Sequence, residues 1–307
     1  MPFAEASLIA FLRRHAAQGA DVAVGIGHDA AVVRSPSGDG LVLKSDQTIE
    51  DVHFTRGEAP WELFGRKAIA RVLSDLGAVG ARPIACLCSL ALPDDIDEEA
   101  ARAVLRGVLS LADGAPASLV GGDLARSPRG VCIDVSALGF LDGRAPMLRA
   151  GARPGDALVV TGPLGRSRDG HHLRFTPRWR EGVALAGSGR VRACIDLSDG
   201  LGRDVHHLAA ASGVGARLDA RRLPRRRGAD GAPATVAQAL HDGEDFELLF
   251  AAAPADVPNL RALPALASVE LTEVGICTPA TDGVVLVRED GAVEPLPPGG
   301  YQHRFGG

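Results

Sequence analysis

Lysine is almost missing from this chain. Of its 33 basic residues only Lys44 and Lys67 are lysines, so chemistry that needs an amine has two candidates. Aromatic residues make up 4%, which leaves the core to Ala, Val, Leu and Ile. The five cysteines, Cys86, Cys88, Cys132, Cys194 and Cys277, include no C-x-x-C pair. They imply neither a disulfide framework nor a zinc site, and the C-x-C within the apolar run LCSLAL reads as buried free thiols in a reducing compartment. No stretch of about 18 apolar residues offers a membrane span. The first residues, MPFAEASLIAFLRRHAAQ, have too short an apolar part for a secretory leader and read as an amphipathic helix. The expectation is a soluble, cytoplasmic protein. A net charge of −5 weighs against general nucleic-acid binding. No G-x-x-x-x-G-K-[ST], H-E-x-x-H or G-x-S-x-G occurs, which removes the Walker A loop, the zincin helix and the nucleophile elbow from consideration.

What is present suits two α/β domains. The chain has 307 residues, 46% of them hydrophobic, with 38 glycines and 20 prolines. That supports a sizeable core with many tight connections. DVAVGIGHDAAVV and LVLKSDQTI read as strands with turns, and residues 61–80 have helical period, with Ile69, Val72, Leu73, Leu76 and Val79 on one face. Arg82-Pro83 stops that helix. IACLCSLAL is a strand, residues 92–114 a helix with an acidic first turn, and ASLVGGD and GVCIDVSALGFL further strands. GRAPMLRAGARPGD (143–156) reads as a linker, placing one domain at 1–142 and a second at 143–307. In the second, DALVVTG, FELLFAA and LTEVGICTP are strands, VRACIDLSDGLGRDVHHLAAASG is strand, turn and helix, and GVVLVRED with AVEPL forms a late hairpin. RLDARRLPRRRGADGAP (217–233) is expected as a solvated loop, with an anion-contacting loop as the other reading.

One pattern recurs: an Asp where a regular element meets small residues. Asp29 follows GIGH, Asp46 follows LVLKS, Asp123 follows LVGG, and Asp196 and Asp199 flank the turn after VRACI. Asp75 lies at the edge of the apolar stripe of its helix. Each alone is ordinary turn chemistry. Together they suit magnesium held between carboxylates and nucleotide phosphates, because Mg²⁺ takes oxygen ligands and usually only one or two carboxylates per ion. In IDLSDG, Ser198 or Asp199 is as fit to cap the following helix as to hold a metal near its N–H groups. TGPLGRSRDG (161–170) reads as a strand-to-helix turn, with a phosphate-covering loop as the other reading. Gly25-Ile26-Gly27-His28-Asp29-Ala30 matches G-x-G-x-x-A, but the β-branched residues and Ser35-Pro36 that follow deny the helix a dinucleotide site requires.

In these segments the chain resembles the thiamine-monophosphate kinase family of the aminoimidazole-ribonucleotide synthetase superfamily. The resemblance rests on GIGHDAAVV, SDQTIEDVHF, RKAIARVLSDLGAVGA, LVGGDLAR, RAGARPGDALVVTGPLGRS, IDLSDGLGRDVHHL and GEDFELLF, in order along the chain. It implies an N-terminal α/β domain that pairs with a second copy through an intersubunit β-barrel, and a C-terminal α+β domain. It also implies transfer of the ATP γ-phosphoryl to thiamine monophosphate with Mg²⁺. By motif, Asp29, Ser45, Asp46, Asp75, Asp123, Asp196, Ser198 and Asp199 fall on metal-ligand positions, with Asp199 and Asp123 also catalytic. Gly121, Gly122, Asp123, Arg149, Ser198 and Asp199 fall on the nucleotide, and His53, Glu244 and Tyr301 near the substrate. The chain departs from the pattern at His28, Val72, Leu124-Ala125, Arg166 and Asp242, and between Gly170 and Phe175, where it is short. These departures keep two further readings open: a sibling ATP-dependent enzyme with another acceptor, and a non-catalytic nucleotide-binding protein.

Overall fold

The computed structural model describes residues 3–112, 114–302 and 304–305. A short strand β1 (Phe3–Ala4) leads into α1 (Glu5–His15). The first sheet is built from β2 (Val22–Val24), β3 (Ala31–Arg34), β4 (Gly40–Ile49), β5 (Arg82–Leu92), β6 (Ser118–Arg126) and β7 (Cys132–Phe140), in the order β2-β3-β4-β7-β5-β6. Two helices, α2 (Trp61–Val79) and α3 (Glu98–Ala112), cover one face. The helix expected at 61–80 is α2. It ends where Gly80 turns left-handed at φ 80 and its N–H reaches Gly77 O, followed by Ala81 N–H to Leu76 O. The predicted stripe is fully buried, each large aliphatic contributing roughly 1.5–3 kcal/mol. Gly65 and Gly107 let α2 and α3 cross closely: a Cβ on either would stand 1.9 Å from a backbone oxygen of the other helix.

Alternation along β4 sorts its side chains. Val42, Lys44, Asp46 and Thr48 face the helices, while Leu43, Ser45 and Gln47 face the opposite side and are exposed. That opposite face stays open. Leu43, Leu87, Val120 and Leu124 are 46%, 47%, 65% and 73% exposed, and the first three line a groove of about 470 Å³.

The second sheet has seven strands: β8 (Ala157–Thr161), β9 (Val191–Asp196), β10 (Val214–Asp219), β11 (Leu248–Ala252), β12 (Leu271–Pro279), β13 (Val284–Val287) and β14 (Val293–Pro295), ordered β14-β13-β10-β12-β8-β11-β9. The late hairpin is the antiparallel pair β13–β14. The helices here are α4 (His171–Arg174), α5 (Trp179–Ser188), α6 (Leu201–Ser212), α7 (Val236–His241) and α8 (Val257–Arg261). The short stretch after Gly170 folds as the single turn α4. β15 (Arg304–Phe305) pairs antiparallel with β1, joining the two chain ends. No described helix is long and apolar enough to cross a membrane.

The Arg-rich stretch is less solvated than its composition suggests. Arg226 is half-buried and donates to Pro163 O, Gly165 O and Asp245, pinning the stretch to the turn after β8. Arg166 points into the same contact, paired with Asp169 and Asp230.

Candidate active site

Three carboxylates from distant parts of the sequence meet beneath the junction of the two sheets. Asp29 sits in the turn between β2 and β3, Asp75 on α2 and Asp196 at the end of β9. All three are buried, and each offers an oxygen within 4.8 Å of the other two. Gly27, at φ 112, shapes the Asp29 turn. A Cβ there would stand 2.2 Å from the Arg13 guanidinium, whose Nε donates to Ile26 O. β3 follows this turn, so the helix a dinucleotide fingerprint requires is replaced by a strand. Ser74 Oγ donates to Asp196 Oδ2 at 2.9 Å.

Two internal cations serve this centre. Lys44 Nζ lies 3.0 Å from Asp75 and 3.3 Å from Asp46. Arg149, in the predicted linker, pairs with Asp29 at 2.7 Å. Asp46 therefore stands within the strand beside the triad, held by Lys44 and by Arg71 at 4.0 Å. Burial pushes the Asp196 carboxyl up to about 7, reinforced by Asp29, and pushes Asp75 well above the carboxylate range. Burial opposes ionisation of Asp46 too, but Lys44 and Arg71 outweigh it and hold that group low. Unrelieved repulsion among close buried acids is what a bound cation removes.

A cleft opens next to the triad. Ser198 and Asp199 occupy the turn between β9 and α6, and neither caps the helix. That role falls to Asp204, one turn in, whose Oδ2 accepts from Asp199 N–H and Gly200 N–H at 3.1 Å each. Asp204 and His207 bring oxygen and nitrogen donors within 4.8 Å of Asp199. Arg71 and Arg168 supply positive charge to the cleft, Asp199, Asp242 and Glu244 negative charge, and Phe246 and Tyr301 aromatic surface, with His53 opposite. Phe246 is braced by Phe175, stacked at 4.2 Å between centroids. Tyr301 is carried in by the C-terminal segment, its N–H on Asp199 O at 3.0 Å. Gly300 beside it, at φ 99, leaves no room for a side chain because a Cβ would lie 2.1 Å from that same oxygen.

Beneath the cleft lies Lys67, fully buried. Its Nζ donates to His53 O and pairs with Glu244 Oε1, both at 2.5 Å. Burial lowers this ammonium to about 8, against the raising pull of Glu244. Glu244 holds a left-handed φ of 54, and its N–H reaches Ser198 O.

The structure thus gathers Asp29, Asp46, Asp75, Asp196, Arg149, Ser198, Asp199, His53, Glu244 and Tyr301 around one junction. It does not bring Ser45, Gly121, Gly122 or Asp123 there. Ser45 points to the open face, bonded to Asp134 and Ser136. Asp123 lies exposed on edge strand β6, in register with Ser89. Gly122 lets β6 approach β5, since a Cβ would stand 1.7 Å from Cys88 O. Lys44, Lys67, Arg71, Arg168 and Asp204 were not among the expected site residues. The scarcity of lysine was the one available signal, because both lysines line this junction.

Comparison with known proteins agrees with this architecture. Residues 27–141 match the N-terminal domain of AIR synthase related proteins, and residues 168–288 the C-terminal domain. The thiamine-monophosphate kinase of Rhodopirellula baltica is 38% identical over 270 residues, covering 84% of this chain and 85% of that protein. That of Escherichia coli K12 is 32% identical, covering 99% of each. The solved structure of AaThiL complexed with AMPPCP and TMP superposes with a TM-score of 0.83 at 30% identity, over 98% of this chain and 97% of that one. Sequence and fold agree, and the chain belongs to the thiamine-monophosphate kinase family of AIR synthase related proteins.

Proposed function

We propose that the protein is an ATP-dependent kinase that converts thiamine monophosphate to thiamine diphosphate, working with Mg²⁺ in the cytoplasm. The observation that carries this reading is the Asp29–Asp75–Asp196 triad beside a cleft of mixed charge with aromatic surface. Relatives over most of the chain are thiamine-monophosphate kinases, and the AaThiL structure holds an ATP analogue together with TMP.

The donor set fits magnesium. The triad offers carboxylate oxygens alone, the hard ligands that ion prefers. Asp29, Asp75 and Asp196 would hold it, with Ser198 and Asp199 near the phosphates. Bound there, the ion supplies neutralisation and alignment of two polyanions.

The acceptor is a phosphomonoester with a second pKa of about 6, so its oxygen is already anionic at neutral pH and no strong general base is needed. That oxygen forms a bond to the γ-phosphorus as the bond to the β,γ-bridging oxygen breaks, and ADP leaves. Arg71 and Arg168 attract the acceptor phosphate, and Phe246 and Tyr301 offer faces to its rings. Arg149 orients Asp29 through their ion pair.

The partner in this proposal is a second copy of the chain. The open sheet face, with exposed Leu43, Leu87, Val120 and Leu124, supports an intersubunit barrel. Asp123, Gly121 and Gly122, on the edge strand of that face, would serve the nucleotide at the seam. The domain division we adopt is 1–142 and 143–307, the first carrying the dimer face and the second most of the acceptor cleft.

A substrate panel tests the reading. Purified protein with ATP and Mg²⁺ should release ADP with thiamine monophosphate and not with thiamine or other phosphomonoesters. Release with a different acceptor, and none with thiamine monophosphate, would reassign the enzyme.

A further inference from the structure

The two cations inside the acidic centre differ in kind. Arg149 comes from the inter-sheet segment and, among the described residues, forms its ion pair with Asp29. Lys44 comes from β4, inside the centre, and its single ammonium is shared between Asp46 at 3.3 Å and Asp75 at 3.0 Å. An ammonium is a compact point charge without preferred ligand directions. Placed between two carboxylates, it does electrostatically what a small metal ion bridging them would do. We propose that Lys44 occupies one cation position of this centre, so that the chain binds one divalent ion at Asp29, Asp75 and Asp196 and none between Asp46 and Asp75.

The geometry around each acid supports the count. Asp46 faces Lys44 and, at 4.0 Å, Arg71, whose Nη1 is also held by Gln47 O at 2.7 Å. Its charge is already matched from β4 and from α2. Asp75 shares Lys44 and keeps an oxygen toward the triad. Asp29 faces Arg149, and Asp196 accepts from the Ser74 hydroxyl, with no ion pair of its own among the described residues. Asp199 and Asp204 lie beyond Asp196, toward the cleft. The four acids Asp29, Asp46, Asp75 and Asp196 therefore meet Lys44, Arg149 and the more distant Arg71, and the shortfall of positive charge is concentrated at the triad. A second divalent ion between Asp46 and Asp75 would have to expel an ammonium that is only 21% exposed in its side chain and anchored within a sheet strand. The neighbouring residue cannot substitute, because Ser45 points to the other face of the sheet.

This inference rests on the reading of the triad as a metal site and is independent of which acceptor is phosphorylated. The test uses the full chain without nucleotide and counts bound Mn²⁺ by electron paramagnetic resonance of the free ion, alongside calorimetry. Wild type should bind one Mn²⁺ per chain. Lys44→Ser, which opens the space, and Lys44→Gln, which keeps the length without charge, should each bind two, with a larger rise in melting temperature on adding Mn²⁺. A variant that folds only when Mn²⁺ is supplied supports the proposal, and one that stays unfolded in Mn²⁺ overturns it. Two ions on wild type, or one on a folded variant, also overturn it. Wild type that binds no Mn²⁺ refutes the metal site itself, whereas correct counts without kinase turnover would refute only the proposed reaction.

Discussion

Ser74 on α2 donates its hydroxyl to Asp196 at the end of β9 across 2.9 Å, between groups 122 residues apart in sequence and carried by different sheets' layers. The bond fixes the seam at which the acidic centre is assembled. α2 also carries Asp75, so one helix both supplies a member of the triad and orients another. Ser74→Ala leaves that buried carboxylate without its hydroxyl donor, which costs about 1–3 kcal/mol. Thermal melts should show this loss, with Mg²⁺ recovering part of it.

Asp196 is itself at odds with its surroundings, since burial and Asp29 raise its carboxyl to about 7. Asp196→Asn removes that repulsion. The variant should melt at the same temperature as wild type or higher, while kcat/KM falls at least ~100-fold because an oxygen donor of the triad is lost. Parallel melting and steady-state assays separate the two effects. A variant both less stable and nearly as active would contradict the assignment.

Lys67 gives the pH dependence a definite sign. Its ammonium has a folded-state value of about 8 against 10.5 for the free side chain, chiefly through burial. Between these values the unfolded chain holds a proton that the native protein has lost, so this group makes stability rise as pH increases from about 8 to 10.5. The total is roughly 3 kcal/mol. Denaturant titrations across this window should show wild type gaining on Lys67→Met as pH rises. A constant difference would mean that Lys67 is not buried as described.

Gly107, with Gly65, marks the tightest approach of the helix pair. A Cβ there would meet Glu62 O at 1.9 Å and Arg66 N at 2.8 Å, all backbone that cannot step aside locally. Gly107→Ala should destabilise by roughly 1–3 kcal/mol, despite the higher helix propensity of alanine. Equilibrium unfolding would measure it.

Tyr301 reaches the cleft only through the turn at Gly300. Tyr301→Ala should raise KM for the acceptor several-fold with kcat little changed, the signature of lost binding common to ground and transition states.

Much of this is legible in the sequence. The period of α2, the strand β12 and the late hairpin follow from apolar spacing and turn residues, and the acids were visible because each stands beside small residues. What was hidden was direction across a sheet. Asp46 and Ser45 are neighbours in sequence, yet alternation sends one to the acidic centre and the other to the open face. Period two alone does not say which face is which until α2 is seen to cover one. Asp204 is hidden for a different reason: an acid in the first turn of a helix is ordinary, and only the fold shows that it replaces the expected Ser198 or Asp199 cap. Lys44 and Lys67 were visible as rarities, but their pairing with Asp75 and Glu244 joins residues 31 and 177 positions apart.

The central claim is that buried acids from both sheets, gathered around a divalent cation, let two phosphates react. The most direct measurement follows product formation by the full-length protein from ATP, Mg²⁺ and thiamine monophosphate, with Asp75→Asn and chelator controls. The account predicts thiamine diphosphate and ADP in equal amounts, lost with the chelator and reduced at least ~100-fold in the variant. Unimpaired turnover in Asp75→Asn, or ATP bound tightly with no diphosphate formed under any Mg²⁺ concentration, would contradict it.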